Sequence, residues 1–282
     1  MDMNAFYPFK VGEFSCLAIS DGGHAYDLAD FFANVSAEEV GAALGVPDSH
    51  GGTVVSPLTC LHIDDGRHSI LVDAGAGPKL GPTAGRLREN MAAAGLSPGD
   101  IDAVIITHGH ADHVGGLLDE GGRPLFPRAH YYLWQAELDF WQSDVAFKHA
   151  PAAWVQLARR QFFVLRQRLV TIDKETEVRP GIRLLAAFGH TPGHMAVAVS
   201  SGDEQLLHVS DAALSPLHLQ HPAWVARYDV DPEAAVATKR QLFDRAAADE
   251  ILIFGHHLPP FPALGWVTKD GDGWLWRPLA GE

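Results

Sequence analysis

Apolar residues along this chain fall into short blocks, alternating or continuous, that turn residues cut at intervals. FSCLAIS, TVVSPLTCLHI and HSILVDAG predict strands, the last two joined across DDGR as a hairpin. SAEEVGAALG places Ser36 and Glu39 at capping-box spacing and predicts a short helix. TAGRLRENMAAAG predicts a helix closed by Gly95, with the strand DAVIIT after it. HYYLW predicts a strand leading into helical AELDFWQ. PAAWVQLARRQFFVLRQ is the longest helical pattern, with Pro151 suited to its first turn. GIRLLAAF, MAVAVSS and EQLLHVSD then predict strands, DPEAAVATKRQLFDRAAAD a helix and EILIF a buried strand. GWVTK and GWLWRP predict a closing hairpin across Asp-Gly-Asp-Gly. Strands in both halves, each group followed by helices, predict an α+β fold: two sheets face to face with helices outside, in one domain over 1–282.

The polar clusters sit where apolar runs end: ILVDAG, VIITHGHADH, LAAFGHTPGH, LLHVSDA and ILIFGHH. If these strands lie side by side, their loops meet at one edge of a rigid scaffold. The densest cluster is THGHADHVGG. His108 and His110 alternate in an extended turn and can chelate one ion, while Asp112 and His113 face a neighbouring position. Small Gly109 and Ala111 let the backbone curl around both. Imidazole with carboxylate suits zinc, and also iron, manganese or cobalt. A lone loop histidine among the 16 present would be ordinary. Three in six positions after a buried strand are not, because so much potential cation in one turn needs compensation. Four ligands cannot close two ions, so further ligands must come from elsewhere.

Charge and cysteine usage narrow the partners. With 21 basic and 35 acidic side chains the formal charge is -14, which argues against a phosphate-tracking nucleic-acid surface. It also disfavours anionic membranes and strongly anionic substrates, unless bound cations reverse the local field. No basic segment leads into an apolar one at the start, and no run approaches the roughly 18 apolar residues of a membrane span. The chain as given therefore reads as cytoplasmic. Cys16 and Cys60 lie in strand-like stretches and predict two buried thiols, without a Cys-x-x-Cys metal site.

THGHADH resembles the signature of the metallo-β-lactamase-fold hydrolases. The other clusters follow in that superfamily's order over nearly the whole chain: Asp73 in LVDAGAG, His190 in GHTPGH, Asp211 in HVSDA and a histidine in FGHHLPPFP. DAGAGPKLGPTAGRLRENMAAAGLSPGDID, ELDFWQSD and HHLPPFPALGWVTKDGDGWLWRP are similar to the branch that holds methyl parathion hydrolase and related lactonases. The resemblance implies a four-layer αββα sandwich and two divalent metal ions, zinc foremost. His108, His110 and His190 would hold one; Asp112, His113 and a last histidine the other, with Asp211 bridging. Broader family members place the last ligand directly after a glycine, as His256 stands. The branch places it before leucine, as His257 stands, and a gap-free match of ILIFGHHL selects His257. Asp73 would accept a hydrogen bond from a ligand histidine and fix its tautomer; its plain reading is a turn aspartate before Gly75. His194 and His208 read as structural.

Such a cation pair makes a shared water acidic enough to attack near neutral pH. Asp112 would orient that nucleophile or carry a proton to the leaving group. No Gly-x-Ser-x-Gly elbow offers a covalent alternative. The expected substrate is a neutral, fairly apolar lactone or ester of the N-acyl-homoserine-lactone type, with organophosphate triesters as side substrates. A dedicated methyl-parathion-type phosphotriesterase is the alternative, and a non-catalytic metal-binding sensor a more distant one. Thioester and nuclease branches call for basic surfaces that this composition lacks. Trp141, in the aromatic-rich segment between the ligand groups, and Leu80 are the expected pocket walls. Apolar FFANV could pack against a second copy in a homodimer, or bury itself within its own domain.

Overall fold

Side chains that alternate along the strands build three apolar layers around two sheets. The computed structural model describes residues 5–45 and 52–279. One sheet runs in spatial order β1 (Phe6–Val11), β2 (Phe14–Asp27), β3 (Thr53–Asp64), β4 (Ser69–Val72), β5 (Ala103–Ile105), β6 (His130–Trp134), β7 (Leu169–Ile172). The other runs β8 (Thr176–Arg179), β9 (Ile182–Ala186), β10 (Met195–Ser201), β11 (Glu204–Ser210), β12 (Leu252–Gly255), β13 (Leu264–Asp270), β14 (Gly273–Pro278). The helices are α1 (Leu28–Phe31), α2 (Ala37–Leu44), α3 (Leu87–Ala93), α4 (Ala111–Val114), α5 (Gln135–Gln142), α6 (Ala152–Leu165), α7 (Pro216–Gln220) and α8 (Pro232–Ala248).

Period-two alternation sends Ile70, Val72 and Ile105 between the sheets, against Leu184, Val197 and Phe254. The intervening Leu71 and Val104 point the other way and pack with Leu87, Met91 and Phe162 of α3 and α6. Behind the second sheet, Leu207 and Ile253 meet Leu242 and Phe243 of α8. The result is the expected helix–sheet–sheet–helix sandwich. Cys16 and Cys60 are buried free thiols, as their strand positions implied. The Ser36–Glu39 capping box forms, and Gly45 ends its helix at φ 70°. Phe31 and Phe32 are buried among Tyr26, Leu28 and Leu214, so FFANV packs within its own chain. Among the described residues no helix is long and apolar enough to cross a membrane.

Three strands escape the pattern-based reading: β1, β7 and β8. All three are edges of their sheets, where one flank needs no partner and burial is partial. β1 even carries Pro8, which an edge strand tolerates and a central one does not.

Strand direction is what gathers the polar loops. β4 and β5 pair in parallel, as do β11 and β12. β9 is antiparallel to β10, which is antiparallel to β11, so β9 runs the same way as β11. The carboxyl ends of all five therefore leave in common directions within their sheets. Two buried carboxylates then brace the loops. Asp21, at a bulge in β2 where the register shifts, accepts N–H bonds from Ala76 (2.7 Å), Leu87 (2.7 Å) and Gly85 (3.3 Å). The bonds from Gly85 and Leu87 anchor the chain at the start of α3, which begins at Leu87, later than TAGRL suggests. Glu137, in the first turn of α5, accepts from Gly109 N (2.8 Å), Gly193 N (3.0 Å), Thr191 Oγ1 (2.6 Å) and Trp141 Nε1 (2.6 Å). Burial pushes its carboxyl above the usual range, and the four donors pull it back towards the ionised form.

Replacing Glu137 with alanine leaves two buried backbone N–H groups without acceptors. The expected loss is about 2–4 kcal/mol of stability, read as a lower urea midpoint at unchanged slope. A shift worth less than roughly 0.5 kcal/mol would contradict this bracing role.

Candidate metal centre

Both sheets contribute to one buried cluster. After β5 the chain runs Thr107, His108, Gly109, His110 and turns into α4, where the His110 carbonyl accepts the N–H groups of His113 and Val114. This single helical turn points Asp112 and His113 back to where His108 and His110 converge. The loop after β9 brings His190, the end of β11 brings Asp211, and the residues after β12 bring His257. His108, His110, Asp112, His113, His190, Asp211 and His257 are all buried, none more than 6% exposed.

Two donor sets share Asp211. In the first, His110 Nδ1 lies 2.9 Å from His108 Nε2 and 3.0 Å from His190 Nε2. Asp211 Oδ2 lies 3.4 Å from His190 Nε2 and 3.7 Å from His108 Nε2. In the second, Asp211 Oδ1 lies 3.3 Å from His113 Nε2 and Oδ2 lies 3.4 Å from His257 Nε2. Asp112 offers Oδ2 to His257 Nε2 at 3.3 Å and Oδ1 to His113 Nε2 at 3.9 Å. His256 also has a ring nitrogen near Asp112, His113 and His257. It lies tilted against His113 (centroids 4.0 Å, 32°), has no hydrogen bond at either nitrogen and, among the described residues, approaches no carboxylate as His257 does. Of the two rings, His257 is the one within ion-pair distance of Asp112 and Asp211.

The inward nitrogens are free because the outward ones are held. His113 Nδ1 meets Asp73 Oδ2 (2.8 Å), His190 Nδ1 meets Asp229 Oδ1 (2.8 Å), and His257 Nδ1 meets Ser56 Oγ (2.9 Å). Such partners fix which nitrogen faces a cation. Asp73 also accepts from Thr107 N and Thr107 Oγ1, locking the start of the histidine loop to the end of β4. His194 places the shared carboxylate: its Nδ1 donates to Ala187 O (2.7 Å), and its Nε2 accepts the Asp211 N–H (3.1 Å). His208 stacks on Phe254 and accepts the Ser210 N–H.

Electrostatics shows what this cluster lacks. Burial penalises ionisation of Asp211, yet His113, His257 and His108 around it hold its carboxyl well below the usual range. Burial likewise opposes a charge on His257, but Asp211 and Asp112 raise it to about 9. His110, buried beside His190, falls to about 3. The carboxylates thus draw positive charge into the cluster: Asp211, Asp73 and Asp112 also hold His113 well above the usual imidazole range. Divalent cations suit this donor set of neutral imidazoles, carboxylates and a shared aspartate.

A cleft covers the cluster, walled by Tyr26, Phe31, Trp154, Leu214 and Tyr228, with a free volume of about 10 Å³. Trp154 stacks on Tyr228 (5.6 Å, 29°) beside His110. Trp141 and Leu80, expected in the wall, are elsewhere. Trp141 is fully buried beneath Gly109, where any Cβ would come within 2.3 Å of the indole nitrogen. Leu80 packs with Leu58, Ala76, Ala84 and Ala111 behind α4. Both support ligand loops from behind. Sequence reading passed over Asp229, Ser56, Glu137 and Tyr26, whose partners lie tens of residues away and follow no spacing rule.

The comparisons agree with this geometry. The family model for the metallo-beta-lactamase superfamily matches residues 55–257. A "probable metallo-hydrolase" of Mycobacterium tuberculosis is 28% identical over 202 residues, so the chain spans about 60% of that relative's length, and the match covers 60% of this chain. The N-acyl homoserine lactonase AiiB of Agrobacterium fabrum is 28% identical over 204 residues, 70% of each chain. Among solved structures, AidC, a dizinc quorum-quenching lactonase in complex with a product, superposes over 100% of both chains at TM-score 0.90 and 25% identity. The hydrolase AbOPH does so at TM-score 0.88 and 24% identity, a likeness of fold. These matches do not single out the methyl parathion hydrolase branch. With the family pattern covering most of its length, and the buried donor sets in place, the chain belongs to the metallo-beta-lactamase superfamily.

Proposed function

We propose that the protein is a binuclear-metal hydrolase that opens neutral lactones of the N-acyl-homoserine-lactone type, with organophosphate triesters as side substrates. The observation that carries this reading is the shared carboxylate of Asp211, which faces His108 and His190 of one set and His113 and His257 of the other. A pair of divalent cations, held by His108, His110 and His190 and by Asp112, His113 and His257 with Asp211 between them, would supply Lewis acidity and make water a competent nucleophile near neutral pH.

The chain's own groups set the rest. Outside the ligand set, the cleft wall consists of Tyr26, Phe31, Trp154, Leu214 and Tyr228, none of them charged at neutral pH. Such a wall accepts an uncharged ester and gives no ion pair to an anionic one. Asp112 reaches the cleft, and its Oδ1 is the less engaged oxygen, placed to take a proton from the nucleophile and pass it to the leaving oxygen. The Trp154–Tyr228 stack excludes water from beside His110 and must part for a substrate, because the free volume above the cluster is about 10 Å³, roughly that of one water. The curated lactonase relatives and the dizinc lactonase likeness support lactones as the substrate class.

Chelation should abolish turnover of medium-chain acyl-homoserine lactones, and two equivalents of zinc should restore it. Lactone kcat/KM should exceed that for a paraoxon-type triester in the same preparation; triester turnover without lactone turnover would reverse the assignment. Asp211→Ala should lose turnover at least about 100-fold together with bound metal, as elemental analysis reads it. Asp229→Asn, which removes the carboxylate behind His190, should lower metal affinity or activity about 10–100-fold. Wild-type affinity and rate in that variant would show that His190 needs no such support.

A further inference from the structure

Tyr26 lies near the end of β2, 86 positions before the aspartate it touches. Its ring lines the cleft, edge-on to His257 (centroids 6.1 Å, 89°) and against Phe31 (5.0 Å). Its backbone is fixed by the β2–β3 ladder opposite Val54. The hydroxyl donates to Asp112 Oδ2 at 3.0 Å, the same oxygen that lies 3.3 Å from His257 Nε2. Asp112 Oδ1 has only the longer approach to His113 Nε2, at 3.9 Å. The other phenol in the cleft, Tyr228, donates to Asp30 and leaves Asp112 alone.

A carboxylate can meet a cation through one oxygen or both, and rotation about its Cβ–Cγ bond interconverts these modes. A hydroxyl donor carried by a strand selects one of them. Because that donor is neutral, the full negative charge of Asp112 stays available to a cation, as it would not beside a lysine or arginine. An ordinary phenol carries its proton at neutral pH, so the Tyr26 hydroxyl can act as the donor in this contact.

We propose that Tyr26 is a positioning residue whose hydroxyl fixes the rotation of the Asp112 carboxylate. Through it Tyr26 sets both the grip of the Asp112–His113–His257 set on its cation and the proton path of ring opening. The inference rests on the metal centre and substrate class proposed above, and its test separates the two. Metal-free Tyr26→Phe is titrated with cobalt against a competing chelator, following the visible absorption of each binding step. Tyr131→Phe serves as control, since it loses an equally internal phenol that donates to Phe126 O at 2.9 Å, remote from Asp112.

One of the two binding steps should weaken about 10–100-fold in Tyr26→Phe, with an altered cobalt spectrum, while the other step stays at its wild-type value. With both sites saturated, kcat for lactone should fall by a similar factor and KM should move less than about threefold. Two wild-type binding steps would overturn the proposal. So would equal weakening of both accompanied by a lower melting temperature, or a raised KM at unchanged kcat, which would make Tyr26 a wall of the pocket only. Selective weakening of one step in a protein with no lactone turnover would uphold the positioning role and remove the substrate assignment.

Discussion

Two carboxylates and five imidazoles buried together, beneath a cleft with room for about one water, form an arrangement that calls for compensating charge at its centre. Asp112 and Asp211 are far too buried to rely on solvent, and their demand for positive charge lifts His257 while His110 stays neutral. The same demand holds His113, between Asp73 and Asp211, well above the usual imidazole range. A pair of divalent cations would meet it from both sides, because the Asp211 carboxylate lies within reach of His108 and His190 on one side and of His113 and His257 on the other.

The rest of the fold keeps these groups from relaxing apart. The candidate donors come from loops at strand ends in two different sheets, so the sheet–sheet core sets the distance between the donor sets. Within the first sheet, Asp73 and Thr107 join the ends of β4 and β5. Thr107 Oγ1 also accepts from Ser210 Oγ of β11, which ties the two sheets together immediately behind the ligands. Asp73 (φ 62°) and Ser210 (φ 47°) occupy the left-handed region, a strained conformation for residues with side chains. Hydrogen bonding over-determines both, as expected where strain sits beside a functional cluster. Glu137 adds a clamp between the loop of His108 and His110 and the loop that carries His190.

Much of this arrangement is legible in the sequence. The histidine-rich stretches announce themselves because each follows an apolar block, and period-two alternation assigns those blocks to strands. Candidate donors follow from residue type and local spacing, so His108, His110, Asp112 and His113 can be read from one turn. What lay outside such reading depends on contacts across the chain. Edge strands lack the apolar signal of central ones. Glu137 sits on an amphipathic helix where a glutamate ordinarily faces water, and only the meeting of two distant glycine N–H groups makes it internal. Trp141 looks like a pocket wall by its company, yet the absence of a side chain at Gly109 lets the indole slide beneath the loop. The choice between His256 and His257 turns on which ring faces the carboxylates, and adjacent residues in a chain carry no such information.

Anomalous diffraction from crystals of the zinc-loaded protein tests the central claim most directly. Two peaks should be found, each touching a different oxygen or side of the Asp211 carboxylate, one ringed by His108, His110 and His190 and the other by Asp112, His113 and His257. A single peak, or a second ion held by His256 away from Asp211, would contradict it.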